Sequence, residues 1–168
     1  MVRVSFAVRP PDEIVAVLAA LPRPTVEDVT WTPPERWIIK LRPLGHVPVA
    51  LYNGLIDAVA GELDGAPPVR VGLGPTERRY GGQQLSVPVS GLDELSEIIF
   101  AATEPLVPVT HPQPFHAELV LAGGRIPPQL AGAEVRGSWV VTGVSLLADR
   151  SSPQAVRLAE VASILLSG

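Results

Sequence analysis

Four polar side chains sit on two short apolar segments at spacings that suit chemistry on an anion. In RWIIKLRPL (36–44), Lys40 and Arg42 are two residues apart. On a strand that spacing puts both on one face, with Ile38, and puts Trp37, Ile39 and Leu41 on the other. Lys and Arg are donors only, so the pair suits a phosphate or a carboxylate. A solvated strand face beside a partner carboxylate is the plainer reading. In FHAELVL (115–121), His116, Glu118 and Val120 share a face opposite Phe115, Ala117, Leu119 and Leu121. His116 can exchange protons near neutral pH. Glu118 can act as a general base or simply pair with Lys40. Arg78, Arg79 and Tyr80 offer charge and a stacking ring in a hairpin loop, or are ordinary soluble turn chemistry. His46 and His111 show no ligand spacing with each other or with His116, so no metal site is expected. No GxGxxG, P-loop, HExxH or GxSxG occurs, and no cofactor is expected.

Composition bounds what can hold these residues. The chain has 168 residues, 46% of them hydrophobic, and a mean hydropathy of +0.29. That suits one domain over 1–168, built as two small lobes sharing a core. No apolar run approaches the roughly 20 residues of a membrane-spanning helix, and the N-terminus lacks a signal-peptide pattern. The absence of cysteine removes disulfides, thiolate metal sites and a cysteine nucleophile; a cytoplasmic protein is expected. A net charge of −4 gives no global basic field for nucleic acid. Lys40 is the only lysine among 13 basic residues.

The elements follow from periodicity and turn residues. Val2, Val4, Phe6 and Val8 alternate with polar or small residues, a strand ended by Pro10 and Pro11. Ile14, Val17, Leu18 and Leu21 make a helical stripe with Asp12 and Glu13 at its positive end. A strand is expected over 36–44, closed by Gly45, and a helix over 48–63. Strands at 69–73 and 84–89 flank the loop carrying Arg78 to Gly82, with Pro88 marking an end or an edge. Ser90 to Asp93 has the form of a capping box before a helical stripe of Leu92, Leu95, Ile99, Ala102 and Leu106. Strands over 115–121 and 138–147 follow, separated by a Gly/Pro-rich loop with a helical turn near Pro128. Residues 155–166 fit strand or helix equally. Few helices and short strand connections indicate α+β with antiparallel or mixed sheets, not a doubly wound fold.

Two segments carry a resemblance. TWTPPERWIIKLRPLGHVP (30–48) resembles the first motif region of bacterial RNA 2′,3′-cyclic phosphodiesterases, also called 2′-5′ RNA ligases, in the two-histidine phosphoesterase superfamily. Trp31, Pro33, Pro34, Glu35, Leu41, Leu44, Gly45 and Val47 fall in place. PFHAELVLA (114–122) is similar to the second motif region, through Pro114, Phe115, Leu121 and Ala122. RVSFAVRPPDE and SWVVTGVSLLADRSSP are similar to the opening and closing strands. The resemblance spans almost the whole chain in order and implies a bilobal fold, two related sheet lobes around a central cleft with helices outside.

It also implies a site. Family members carry a histidine on each lobe as general acid and base, each followed two residues on by a phosphate-binding hydroxyl. Here the first motif is Ile38-Ile39-Lys40 and the second Glu118-Leu119-Val120. Neither histidine nor hydroxyl is present, and isoleucine transfers no proton. The resemblance therefore implies the cleft without the standard catalytic groups. It points to binding of a nucleotide or RNA terminal phosphate through Lys40, Arg42, Glu118 and His116, or to a protein partner. The alternatives are a metal-independent phosphodiesterase using His116, Glu118 and Lys40, and a structural protein whose cleft its own side chains fill. Lys40 and Glu118 are expected to face each other across the cleft, in direct contact or through one bridging water.

Overall fold

The computed structural model describes residues 1–110, 112 and 114–168; His111 lies outside the described residues. The N-terminal strand β1 spans Val2–Val8, and helix α1 spans Asp12–Ala19. Asp12 and Glu13 occupy its first turn, and Ile14 and Leu18 bury its stripe. A short strand β2, Val29–Trp31, leads through a 3-10 turn at Pro34–Arg36 into β3, Ile39–Val47. Helix α2, Tyr52–Leu63, buries Tyr52, Leu55, Val59 and Leu63. Strands β4 (Val69–Leu73), β5 (Arg78–Tyr80) and β6 (Gln84–Ser90) precede helix α3, Asp93–Thr103. Strands β7 (Glu118–Gly124), β8 (Gly137–Val141), β9 (Gly143–Asp149) and β10 (Leu158–Leu165) complete the chain. Among the described residues no helix is long and apolar enough to cross a membrane.

Two antiparallel sheets result, as an α+β two-lobed fold requires. The first has the order β10-β9-β1-β3; the second runs β2-β7-β6-β4-β8, with β5 also on β6. Helices α2 and α3 pack together, α2 against β10 and α3 against β3. Helix α1 leaves the first sheet and packs on β8 of the second, which locks the sheets together. Phe6, Ile39, Leu55, Val59 and Ile99 are fully buried in this core. Each fully buried side chain of this size stabilises by roughly 1.5–3 kcal/mol.

Several local expectations give way to tertiary pairing. Strand β3 does not stop at Gly45 but pairs with β1 through Val47. Strand β7 begins at Glu118, three residues later than alternation suggests. The segment expected as one strand over 138–147 is two, β8 and β9, which divide between the two sheets. The ambiguous C-terminal segment is a strand because the edge of β9 is open to it. No capping box forms, since Leu92 is the N-cap and no side chain caps the helix. Pro88 lies inside β6, not at its end. Its carbonyl accepts from the Gly74 N–H at 2.9 Å, so its missing donor faces the break between β4 and β5, where no ladder bond is lost.

That break also buries Glu77, 4% exposed. Its backbone bonds the loop after β7, with the Glu77 N–H donating to Ala133 O at 2.9 Å. Burial pushes its carboxyl above the usual range, and neither ion pair among the described residues includes it. A raised carboxyl binds its proton to higher pH when folded than when unfolded. Stability therefore falls as pH rises from the ordinary glutamate value through the folded one, and stays lower above it. Glu77→Gln is expected to raise Tm at pH 7 by about 2–4 °C, the equivalent of about 1 kcal/mol. The gain should vanish below the ordinary glutamate value; calorimetry at pH 4 and pH 7 showing the same gain at both would remove the linkage.

Candidate functional site

Ile39 and Lys40 lie on β3 and Glu118 to Val120 on β7, strands that approach each other where the sheets meet. On β3 the register decides which side chains face the cleft. Ala7 pairs with Lys40, but Phe6 pairs with Arg42, so Leu41 is an inserted residue, a β-bulge. Lys40 therefore shares the face of Ala7, and Arg42 the face of Phe6. The expectation that Lys40 and Arg42 share a face is corrected: one bulge between them reverses Arg42.

Arg42 is consequently buried on the helix side, 5% exposed. Its guanidinium lies 4.7 Å from the centre of the Phe100 ring. It donates to Val107 O at 2.6 Å, to Pro43 O at 2.9 Å and to Thr103 Oγ1 at 3.4 Å. Desolvation lowers its pKa, partly countered by the charge of Glu104. Apart from the bond to the neighbouring Pro43, these contacts tie β3 to α3 and the segment after it.

Lys40 is exposed on the other face. Across the sheet its row continues through Ala7, Ser145 and Ser163. Ala7 puts almost nothing above the sheet beside Lys40. Ser145 donates to Glu160 Oε1 at 2.6 Å. Ile38 precedes the strand and is half-buried; its N–H donates to Arg36 O. Arg36 Nη1 in turn meets Asp149 Oδ2 at 3.0 Å. Burial alone would raise the Asp149 carboxyl, but the Ser151 hydroxyl and N–H together with Arg36 hold it below its usual value. This pair pins the turn that delivers the first motif to its sheet.

In the second sheet, Pro88 pairs with Glu118 and Ser86 with Val120. The face so defined also carries Gln84, whose Nε2 donates to Glu118 Oε1 at 2.6 Å and to Ser86 Oγ at 2.8 Å. Glu118 is half-buried and satisfied within its own sheet. No salt bridge joins it to Lys40, so the direct contact expected from opposite charge is not made. A strongly hydrated ammonium stays in water when the carboxylate already holds a closer donor. His116 is exposed and lies two residues before β7 begins, in a segment without strand geometry. His46 is exposed on β3, beyond both bulges.

Sequence reasoning missed two members of this surface and the strand form of a third segment. Gln84 and Ser86 look like ordinary polar alternation, and only the cross-strand register brings them beside Glu118. Strand β5 reads as a loop because its three residues carry no apolar signal. A concavity of about 560 Å³ opens at the tip of the β5–β6 hairpin, lined by Arg79, Gly81, Gly82, Gln83, Gly124 and Arg125. None of Ile38, Lys40, Glu118 or Val120 lines it. Among the described residues no group of three acidic, histidine or cysteine side chains is placed to hold a metal ion.

No family model matches the sequence, and no curated protein sequence matches it. Solved structures do match. Escherichia coli LigT complexed with 3′-AMP superposes with a TM-score of 0.83 at 18% identity, covering 99% of this chain and 99% of that one. TT0787 of Thermus thermophilus gives 0.78 at 20% identity, over 98% and 97%. A further crystal structure described as a phosphoesterase gives 0.74 at 18% identity, with both chains fully covered. LigT itself has also been crystallised with NADP+, ATP and phosphate. The two sheets and the helices packed on them among the described residues thus form the same two-lobed fold as LigT.

Proposed function

We propose that this chain binds a phosphorylated ligand, a nucleotide or an RNA end, in its central cleft without turning it over. One observation carries the reading. The positions equivalent to the two His-x-Thr motifs hold Ile38, Lys40, Glu118 and Val120, so neither histidine of the family's acid–base pair is present there. What remains is a solvent-facing ammonium on one sheet and a polar face on the other. Crystals of LigT with 3′-AMP, ATP, NADP+ and phosphate are consistent with a cleft of this shape admitting nucleotides.

Purified protein is expected to show no hydrolysis of 2′,3′-cyclic nucleotides or 2′-5′-linked RNA above a buffer blank. The loss of one proton-transfer group typically removes about 10²–10⁴-fold of rate, and both are replaced here. It should bind inorganic phosphate and nucleotides weakly, and added salt or Lys40→Ala should weaken that binding several-fold. Metal-independent hydrolysis abolished by His116→Ala or Glu118→Ala would instead make the chain a phosphodiesterase with His116, Glu118 and Lys40 as its working groups. Failure to bind phosphate or any nucleotide would leave a structural or protein-binding role.

A further inference from the structure

Strand β5 pairs with β6 so that Arg78 stands opposite Ser86 and Tyr80 opposite Gln84. Ser86 in turn stands opposite Val120. Partners in an antiparallel ladder project to the same side. Arg78 and Tyr80 therefore extend the face that carries Glu118 and Val120. Arg79, between them, projects the other way, and its Nε donates to Ile126 O at 2.7 Å. The Ile126 N–H donates to Gly82 O at 2.8 Å, and the Gly124 N–H to Gln83 O at 3.1 Å. The hairpin is thus fastened at three points to β7 and the loop after it. Arg78 and Tyr80 are both exposed, Tyr80 by 38%. Neither ion pair among the described residues includes Arg78.

We propose that Arg78 and Tyr80 form the recognition edge of the cleft for a nucleoside phosphate, the guanidinium taking the phosphate and the phenol ring stacking on the base. The inference rests on the phosphate-binding reading above and assigns its specificity. Residues two apart on a strand stand about 7 Å from each other, the scale of one nucleoside phosphate. A guanidinium offers forked donors to phosphate oxygens, and an exposed ring accepts a base face. Glu118 sharpens the placement. Its carboxylate, held by Gln84, keeps an anion away from the second motif position and leaves the β5 side as the cationic end of this face. A preorganised hairpin also spares the cost of ordering a loop on binding.

Calorimetric titrations of AMP, a 3′-phosphorylated dinucleotide and inorganic phosphate into the full chain and its variants test this. Both side chains are exposed, so Arg78→Gln and Tyr80→Ala should leave the unfolding midpoint unchanged. Tyr80→Ala is expected to weaken AMP about tenfold and leave inorganic phosphate unaffected, while Tyr80→Phe keeps AMP affinity within about twofold. Arg78→Gln should weaken both AMP and phosphate and flatten their salt dependence. Tighter binding of the dinucleotide than of AMP, with the same Tyr80 and Arg78 dependence, would assign an RNA end as the source of the nucleoside phosphate; equal binding would assign a free nucleotide. AMP affinity unchanged in both Arg78→Gln and Tyr80→Ala but lost in Lys40→Ala would overturn this inference and leave the cleft reading standing. No binding of any probe by the unaltered protein would overturn both.

Discussion

Gly74→Ala is expected to abolish cooperative folding, or to lower Tm by more than about 6 °C, through a cost of at least about 3 kcal/mol. Gly74 has φ +105, a region L side chains rarely adopt. A Cβ built there would overlap the Val135 carbonyl oxygen. The segment cannot move aside cheaply. The Gly74 N–H donates to Pro88 O at 2.9 Å, and Pro75 O accepts from the Val135 N–H at 2.8 Å. Adding one methyl must therefore open the junction between β4, β6 and the loop that covers Glu77. Gly61→Ala supplies the contrast. Gly61 is helical, in α2, and a Cβ there meets nothing within 4 Å. That change should stabilise by about 0.5–1 kcal/mol. Thermal unfolding followed by circular dichroism measures both; a Gly74→Ala protein melting with the unaltered one would refute the strain argument.

Arg42→Ala is expected to lower Tm by roughly 5–15 °C while leaving the phosphate affinity of the folded protein unchanged. The truncation removes the donor to Val107 O and Pro43 O and the cation stacked on Phe100. The two carbonyls are only part-buried, so losing their donor costs at most about 1–3 kcal/mol, and losing the desolvated cation–π contact adds up to about 2. Arg42→Lys should recover little of this, because an ammonium cannot fork between two carbonyls and lie flat on the ring. Unfolding curves and phosphate titrations on the same samples separate the two effects. An unchanged Tm together with lost phosphate binding would return Arg42 to the cleft and contradict the bulge at Leu41.

Local pattern suffices for some of these features and fails for others. The period-two alternation of Val2 to Val8 and the stripes of α1, α2 and α3 are local properties, set by which faces must leave water. They are enough for the elements and the α+β class. The order of the two segments that carry the resemblance was equally legible, and so were the residues they hold at 38 and 118, isoleucine and glutamate, because residue identity needs no coordinates. Side-chain direction on β3 was not legible. Parity holds only while pairing is regular, and the inserted Leu41 is defined by its partner strand, distant in sequence. Arg42 thus moved from the cleft to the helix side without any change in the pattern around it. Glu118 found Gln84 instead of Lys40 for a related reason. Gln84 lies 34 residues away, and its approach depends on the β6–β7 register, a long-range pairing that no local window contains. The same holds for β5, whose three polar residues become a strand only because β6 offers them an open edge. Residue types and their periodicity were thus sufficient for most of the elements, their order and the fold class. Which charges face the cleft had to wait for the folded chain, because register and bulges are properties of pairs of strands.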